Sequence, residues 1–263
     1  MSNTSDEFRP RTGLRVVVTA GAAGIGREIA EVFLRHEAKI FVCDVDEAAL
    51  ADFREAHPSA QAMQADVADE GDVDALFDAV ESRLGGLDVL INNAGIAGPT
   101  ANVEDMTPDE WRRTVDVNLN GQFYCLRRAV PLLKQSEDAS IVALSSTAGR
   151  MGMARRLPYS ATKWAIVGMT ESLAIELGGH GIRVNCIQPG IVEGPRIDRV
   201  IAARAEAEGV SFDTARDQTL QKVAMGKMVT NRDIANMALF LCTPAGANIT
   251  GQALAVCAGV IAL

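Results

Sequence analysis

Short unbroken apolar runs alternate along the chain with longer segments in which apolar positions recur every three or four residues. The runs "LRVVVTA", "KIFVCDV", "LDVLINNAG", "SIVALSS" and "IRVNCIQPG" are continuous rather than alternating, as strands covered on both faces must be. "AQAMQADV" is a weaker strand between the second and third of these, and "LAVCAG" is a last one near the C-terminus. Helical patterns fall at roughly 24–36, 46–56, 69–84, 107–134, 158–178 and 231–242. This order predicts an α/β fold: one doubly wound parallel sheet of about seven strands with helices on both faces. No repeat or linker divides it, so residues 12–263 read as a single domain behind a flexible tail at 1–11. The rhythm breaks at 191–228, a polar, charged stretch with helical character. It lies past a strand's C-terminal end, where a substrate lid belongs.

Composition narrows the partners. The 263 residues are 48% hydrophobic, enough for a substantial core, and the net charge of −9 argues against a nucleic-acid partner. The polar start "MSNTSDEFRPRTG" has no apolar signal core, and no run of 18 or more apolar residues implies a membrane span. A cytoplasmic protein with no membrane partner is expected. Cys43, Cys125, Cys186, Cys242 and Cys257 are scattered in apolar contexts and read as reduced, mostly buried thiols. The isolated His36, His57 and His180 give no metal site.

Candidate chemistry sits at two places. "VVVTAGAAGIGREIA" joins the first strand to the first helix and clusters Gly21, Gly24 and Gly26 at the turn. Glycines there let the backbone approach a pyrophosphate, which the helix N-terminus attracts. Asp44 closes the next strand about 20 residues after Gly24, where an acid holds the ribose 2′-hydroxyl of NAD and repels the 2′-phosphate of NADP. Ala22 and Ala23, rather than a basic residue, precede Gly24. Loop and acid together predict a Rossmann-type dinucleotide site for NAD. The second place is "PYSATKWAIVG". Tyr159 and Lys163 are four apart, so on a helix they share a face at about 5–6 Å between Cβ atoms. A neighbouring ammonium stabilises a phenolate, which makes the pair a proton-transfer device.

With these residues in place, the chain resembles the short-chain dehydrogenase/reductase family over about residues 12–262. "TAGAAGIG" is similar to the family's T-G-x-x-x-G-x-G loop. "ADV" at 65–67, "NNAG" at 92–95, "DVNLNG" at 116–121, the "SS" at 145–146, "YSATK" and "QPG" at 188–190 match further motifs in the family's order. The resemblance implies a catalytic set of Asn118, Ser146, Tyr159 and Lys163, with Ser146 rather than Ser145 chosen by its distance from the tyrosine. It implies that Gly21, Gly24, Ile25, Gly26, Asp44, Asp66, Val67, Asn93, Ala94, Gly95, Pro189, Gly190 and Ile191 hold NAD together with Tyr159 and Lys163. Asn118 would anchor a relay water beside the lysine, and a homotetramer would form partly through the long helices at 107–134 and 158–178. "WAIVGMTESLAIEL", apolar on more than one face, supports that assembly.

The chain departs from the family pattern at three points. Ala20 stands where the first glycine is usual, Gly194 where a carboxamide-binding threonine is frequent, and Cys257 where an aspartate is common. The implied activity is hydride transfer between NAD(H) and a secondary alcohol or ketone, with a sugar acid or hydroxy acid among the candidates. A 3-oxoacyl thioester reductase is the rival enzyme, and a non-catalytic NAD-sensing protein the rival of another class. "TAGRMGMARRL", "GIAGPT" and the lid would line the small-molecule substrate. Arg150, Arg155, Arg156 and Arg196 are its candidate anion contacts, with Arg150 and Arg196 placed first. The competing reading of each is a surface or subunit-contact arginine.

Overall fold

Seven parallel strands lie side by side in the order β3-β2-β1-β4-β5-β6-β7. The computed structural model describes residues 7–260. The strands are β1 (Arg15–Thr19), β2 (Lys39–Asp44), β3 (Gln61–Gln64), β4 (Val89–Asn92), β5 (Ser140–Leu144), β6 (Arg183–Pro189) and β7 (Ala253–Val256). The helices are α1 (Gly24–Arg35), α2 (Glu47–Ala56), α3 (Glu70–Leu84), α4 (Pro108–Val115), α5 (Gly121–Leu133), α6 (Leu157–Gly178), α7 (Pro195–Glu208), α8 (Phe212–Leu220) and α9 (Asn231–Leu241). Strand order reverses between β1 and β4, which opens a crevice at the carboxyl ends of the strands, the usual ligand position in such sheets.

The unbroken apolar runs are explained by the two faces. Val16, Val18, Ile40, Val42, Val89 and Ile91 enter one core with Ile29, Phe33 and Leu50, where α1 packs on α9. Their neighbours Val17, Phe41 and Leu90 enter the other core with Phe77, Cys125 and Leu177 from α3, α5 and α6. Alternate residues of a strand point to opposite faces, so both sets must be apolar. Each large side chain so buried stabilises the fold by about 1.5–3 kcal/mol. At the far end of the sheet, buried Asp88 accepts hydrogen bonds from the Arg15 backbone and guanidinium and from Ser136. These partners hold its carboxyl at about 2, against the opposing effect of burial.

The expected helix at 107–134 is α4 and α5 joined by a π turn at Asp116–Asn120. The stretch at 191–228 folds into α7 and α8, whose Ile201, Ala205 and Ala215 form a small core of their own. Part of the expected tail is held rather than loose: Ala245 donates to the Glu7 carbonyl, and Arg11 pairs with Asp88 at 3.2 Å. Residues 1–6 lie outside the described part. No helix among the described residues is long and apolar enough to cross a membrane.

The turn after β1 is tight and strained. Ala20 has φ of +48°, a left-handed conformation that costs a non-glycine residue about 1–2 kcal/mol. Its carbonyl faces Gly26, where an added Cβ would lie 2.1 Å from the oxygen. Ala20→Gly should therefore stabilise the protein by about 0.5–1 kcal/mol, after the greater freedom of glycine in the unfolded chain is offset, and raise Tm by about 2 °C. Gly26→Ala should lower Tm by several times that. Thermal melts decide the point, and an Ala20→Gly variant melting below the parent would refute the strain.

Candidate active site

Lys163 is 3% exposed, and its Nζ donates to the Leu144 carbonyl at 2.6 Å. Leu144 ends β5, so the lysine is anchored to the carboxyl edge of the sheet. Burial pushes its ammonium down to about 8, while the neighbouring Tyr159 opposes that fall. Nζ lies 5.8 Å from the Tyr159 ring centre. Burial alone would raise the phenol, but Lys163, Arg196, the Ser146 hydroxyl and Arg156 together take it below the ordinary tyrosine value. The i,i+4 spacing read from the sequence thus becomes an electrostatic coupling.

The two serines divide the work. Ser145 Oγ is buried and donates to the Lys163 carbonyl at 2.8 Å, locking α6 onto the end of β5. Ser146 Oγ caps the short 3-10 turn at Thr147–Gly149, accepting from Ala148 N at 3.1 Å, and contributes to lowering the Tyr159 phenol. Of the two, Ser146 is the one that acts on the tyrosine.

Asn118 is fully buried in the middle of the π turn. Its Oδ1 accepts from Ile96 N at 2.7 Å, and its Nδ2 donates to the Ile96 carbonyl at 3.0 Å and to Thr162 Oγ1 at 3.2 Å. The side chain therefore clamps the loop after β4 to α6. Gly95 sits against this clamp: an added Cβ would stand 3.3 Å from both Asn118 Oδ1 and Lys163 Nζ.

The loop between β1 and α1 fits a dinucleotide. Ala23, the N-cap of α1, gives no side-chain cap, whereas Asp46, Asp69, Thr107, Ser211 and Thr230 cap α2, α3, α4, α8 and α9. The first amides of α1 are thus free for an anion, and Gly26 keeps the approach clear. Gly21 N donates to Cys43 O at 2.9 Å, and Gly24 takes φ of +55°. Ile25 packs on the first core. Asp44 accepts from Ala22 N and Asp46 N, both at 3.2 Å, so its carboxylate is fixed beside the glycine loop. Asn93 braces that loop by donating to the carbonyls of Thr19 and Ala20, and Thr19 Oγ1 accepts from the backbone of Asn93 and Ala94. Asp66 pairs with Arg113 at 3.0 Å. Val67 is buried where Gly121 leaves room for it. Pro189 ends β6, Gly190 abuts the backbone of Cys257, and the Ile191 carbonyl accepts from Val229 N. Neither Thr19 nor Arg113 was singled out from the sequence, because each acts through partners far along the chain.

The substrate side is framed by arginines. Arg196, at the start of α7, donates to the Gly95 carbonyl at 3.1 Å. Gly194, just before it, has φ of +131°, a conformation closed to threonine; the departure from the family pattern at this position is imposed by the path of the chain. The guanidinium of Arg150 turns instead to Cys257 Sγ and the Val260 carbonyl. Arg156 lies over the Tyr159 ring, 4.9 Å from its centre. An open groove of about 500 Å³ adjoins these residues, lined by Val103, Met153, Arg155, Leu157 and Ser160 among others.

The buried ammonium carries a stability cost that a test can read. Lowering Lys163 from 10.5 to about 8 corresponds to roughly 3 kcal/mol. Because the folded-state value is the lower one, the unfolded chain binds the extra proton between about 8 and 10.5, and stability rises with pH across that window. Lys163→Met should therefore raise Tm at pH 7 and abolish activity, with the gain over the parent shrinking as pH climbs from 8 to 10. A gain that grows with pH would overturn this account.

Comparison with known proteins agrees with the geometry. A family model described as enoyl-(acyl carrier protein) reductase matches residues 20–261. Momilactone A synthase of Oryza sativa subsp. japonica is 35% identical over 98% of this chain and 94% of its own. Galactitol 2-dehydrogenase of Agrobacterium fabrum is 34% identical over 86% and 89%. The crystal structure of levodione reductase superposes with a TM-score of 0.87 at 28% identity, covering 94% of this chain and 98% of that one. With a seven-stranded parallel sheet, an uncapped glycine turn and a Ser-Tyr-Lys constellation at the carboxyl end of β5, the chain belongs to the short-chain dehydrogenase/reductase family and is an oxidoreductase acting on CH–OH groups.

Proposed function

We propose that the protein is an NAD-dependent dehydrogenase that interconverts a secondary alcohol and its ketone, with hydroxy acids and sugar acids as the leading substrates. The observation that carries the reading is the placement of Tyr159 between two cations, with Lys163 Nζ 5.8 Å and Arg156 4.9 Å from its ring centre. Bound NAD⁺ supplies the hydride acceptor. Tyr159 takes the hydroxyl proton as general base, and returns it as general acid in the reverse direction. Ser146 hydrogen-bonds the reacting oxygen and steadies its developing charge. Asn118 holds the loop over which the ring of the cofactor would lie. Asp44 sets the choice of cofactor: its fixed carboxylate accepts ribose hydroxyls and repels a 2′-phosphate, which also counts against a thioester reductase dependent on NADPH. The α7–α8 unit closes over bound substrate and excludes water.

A screen of NAD⁺ reduction over polyols, hydroxy acids and sugar acids tests this reading. Tyr159→Phe should lose at least about 100-fold in kcat while NAD binding persists. Ser146→Ala should be severe, whereas Ser145→Ala should cost about 1 kcal/mol of stability and little rate. Substantial turnover by Tyr159→Phe, or equal affinity of the parent for NADP(H), would refute the mechanism or the cofactor assignment respectively.

A homotetramer and a cytoplasmic setting complete the proposal. Leu157, Trp164 and Ile175 follow one face of α6 and stand exposed, Ile175 at 85%. Phe123 of α5 is exposed with them. Such apolar faces mark an interface between subunits. Light scattering at micromolar concentration should give about four times the 27.9 kDa of one chain. Replacing Trp164 and Ile175 with Glu should dissociate the assembly, and a monomeric parent would rule it out.

A further inference from the structure

Most arginines around the sheet have acidic partners: Arg15 with Asp88, Arg27 with Glu31 and Asp52, Arg128 with Asp74 and Asp78, Arg183 with Asp138. Two beside the candidate base do not. Among the described residues neither Arg156 nor Arg196 forms an ion pair. Arg156 is half-buried, and its Nε is wholly buried without a hydrogen-bond partner. Among the described residues its only side-chain hydrogen bond is a long one from Nη1 to Thr100 Oγ1, 3.5 Å. Burial pushes its guanidinium below the usual arginine range. A half-buried cation with an unsatisfied donor is costly unless an anion meets it. The backbone has accepted strain at the same place. Arg155 sits at φ of +61°, held by the hydrogen bond from Ala101 N to its carbonyl, and the turn lays Arg156 across the Tyr159 ring.

The placement defines a side. Along α6 the phenol is flanked by Lys163 one turn onward and by Arg156 one turn back. Lys163 belongs to the cofactor side, beside Gly95 and Leu144. Arg156 reaches Thr100 in the loop beyond that groove. Arg196 approaches from the lid and acts on both Tyr159 and Lys163. We propose that Arg156 and Arg196 together clamp a carboxylate of the substrate, which makes this enzyme specific for hydroxy acids and their oxo acids. The guanidinium fork suits a carboxylate in two-point contact. The proposal rests on the alcohol–ketone reading above and names the substrate class for that same site. Sequence alone placed Arg150 ahead of Arg156; the fold turns Arg150 to the C-terminal segment instead.

Calorimetric titration tests the clamp without turnover. The NAD⁺-loaded protein is titrated with 2-oxobutyrate, acetoacetate and 4-oxopentanoate, each against its methyl ester. Neither partner can react, since both cofactor and ligand are oxidised. At least one acid should bind about 10- to 100-fold tighter than its ester. Arg156→Gln and Arg196→Ala should each erase most of that preference, and Arg156→Lys should keep part of it. Equal affinity for acid and ester in every pair overturns the clamp, even if the enzyme oxidises neutral polyols. So does an Arg156→Gln variant that weakens acid and ester alike, since the residue would then only support the fold around Tyr159. Failure of NAD⁺ itself to bind overturns the cofactor reading instead, and the acid-to-ester ratio is then read on the unliganded protein.

Discussion

An ammonium group held out of water governs this molecule. Lys163 is placed on a helix that must bury much of its surface, yet it ends in a charge. The conflict is resolved at the one place where a parallel sheet offers unpaired acceptors, the carboxyl edge. There the Leu144 carbonyl takes the proton donor at 2.6 Å. The cost of burial is partly offset by the phenol beside it, since a phenolate and an ammonium stabilise each other. The neighbouring features follow from holding that group. Ser145 ties the Lys163 carbonyl to the end of β5, Asn118 ties Thr162 to the loop after β4, and Gly95 gives up its side chain so that the nitrogen fits.

The site also concentrates the chain's irregular backbone. Of the helices with an independent start, α1, α6 and α7 lack a side-chain cap, and all three begin around the crevice. The left-handed Ala20, the left-handed Arg155 and the positive-φ Gly194 stand within four residues before them. Elsewhere helices are closed by their own side chains, as in the capping boxes of Thr107 with Glu110 and Thr230 with Asp233. Uncapped helix starts and left-handed turns thus gather at this rim, and the rest of the domain holds it in place. The π turn at Asp116–Asn120 belongs to the same pattern: it lies where a buried asparagine must face sideways to reach Ile96.

Much of this was legible in the sequence for a physical reason. Strands buried on both faces need apolar residues at every position, so "LRVVVTA" and "KIFVCDV" announce themselves without any knowledge of their partners. Helices bounded by Asp46, Thr107 and Thr230 carry their start signals in the chain. Tyr159 and Lys163 were readable because helical geometry alone puts them on one face, and Asp44 because its distance from the glycine loop is local to one β-α-β unit. Residues 191–228 were readable as an interruption, although not as two helices with a core of their own.

What sequence determined was therefore the set of interactions whose partners lie within one or two turns or along one strand. The tertiary structure decided those whose partners lie far along the chain: that Asn118 spends its amide on Ile96, that Thr19 ties the segment after β4 to β1, and that Arg156 rather than Arg150 stands at the tyrosine. A charged side chain on a loop has many partners within reach of its flexible stem. Which one it meets depends on the order β3-β2-β1-β4-β5-β6-β7 and on the left-handed turn at Arg155, neither of which any short stretch of residues encodes.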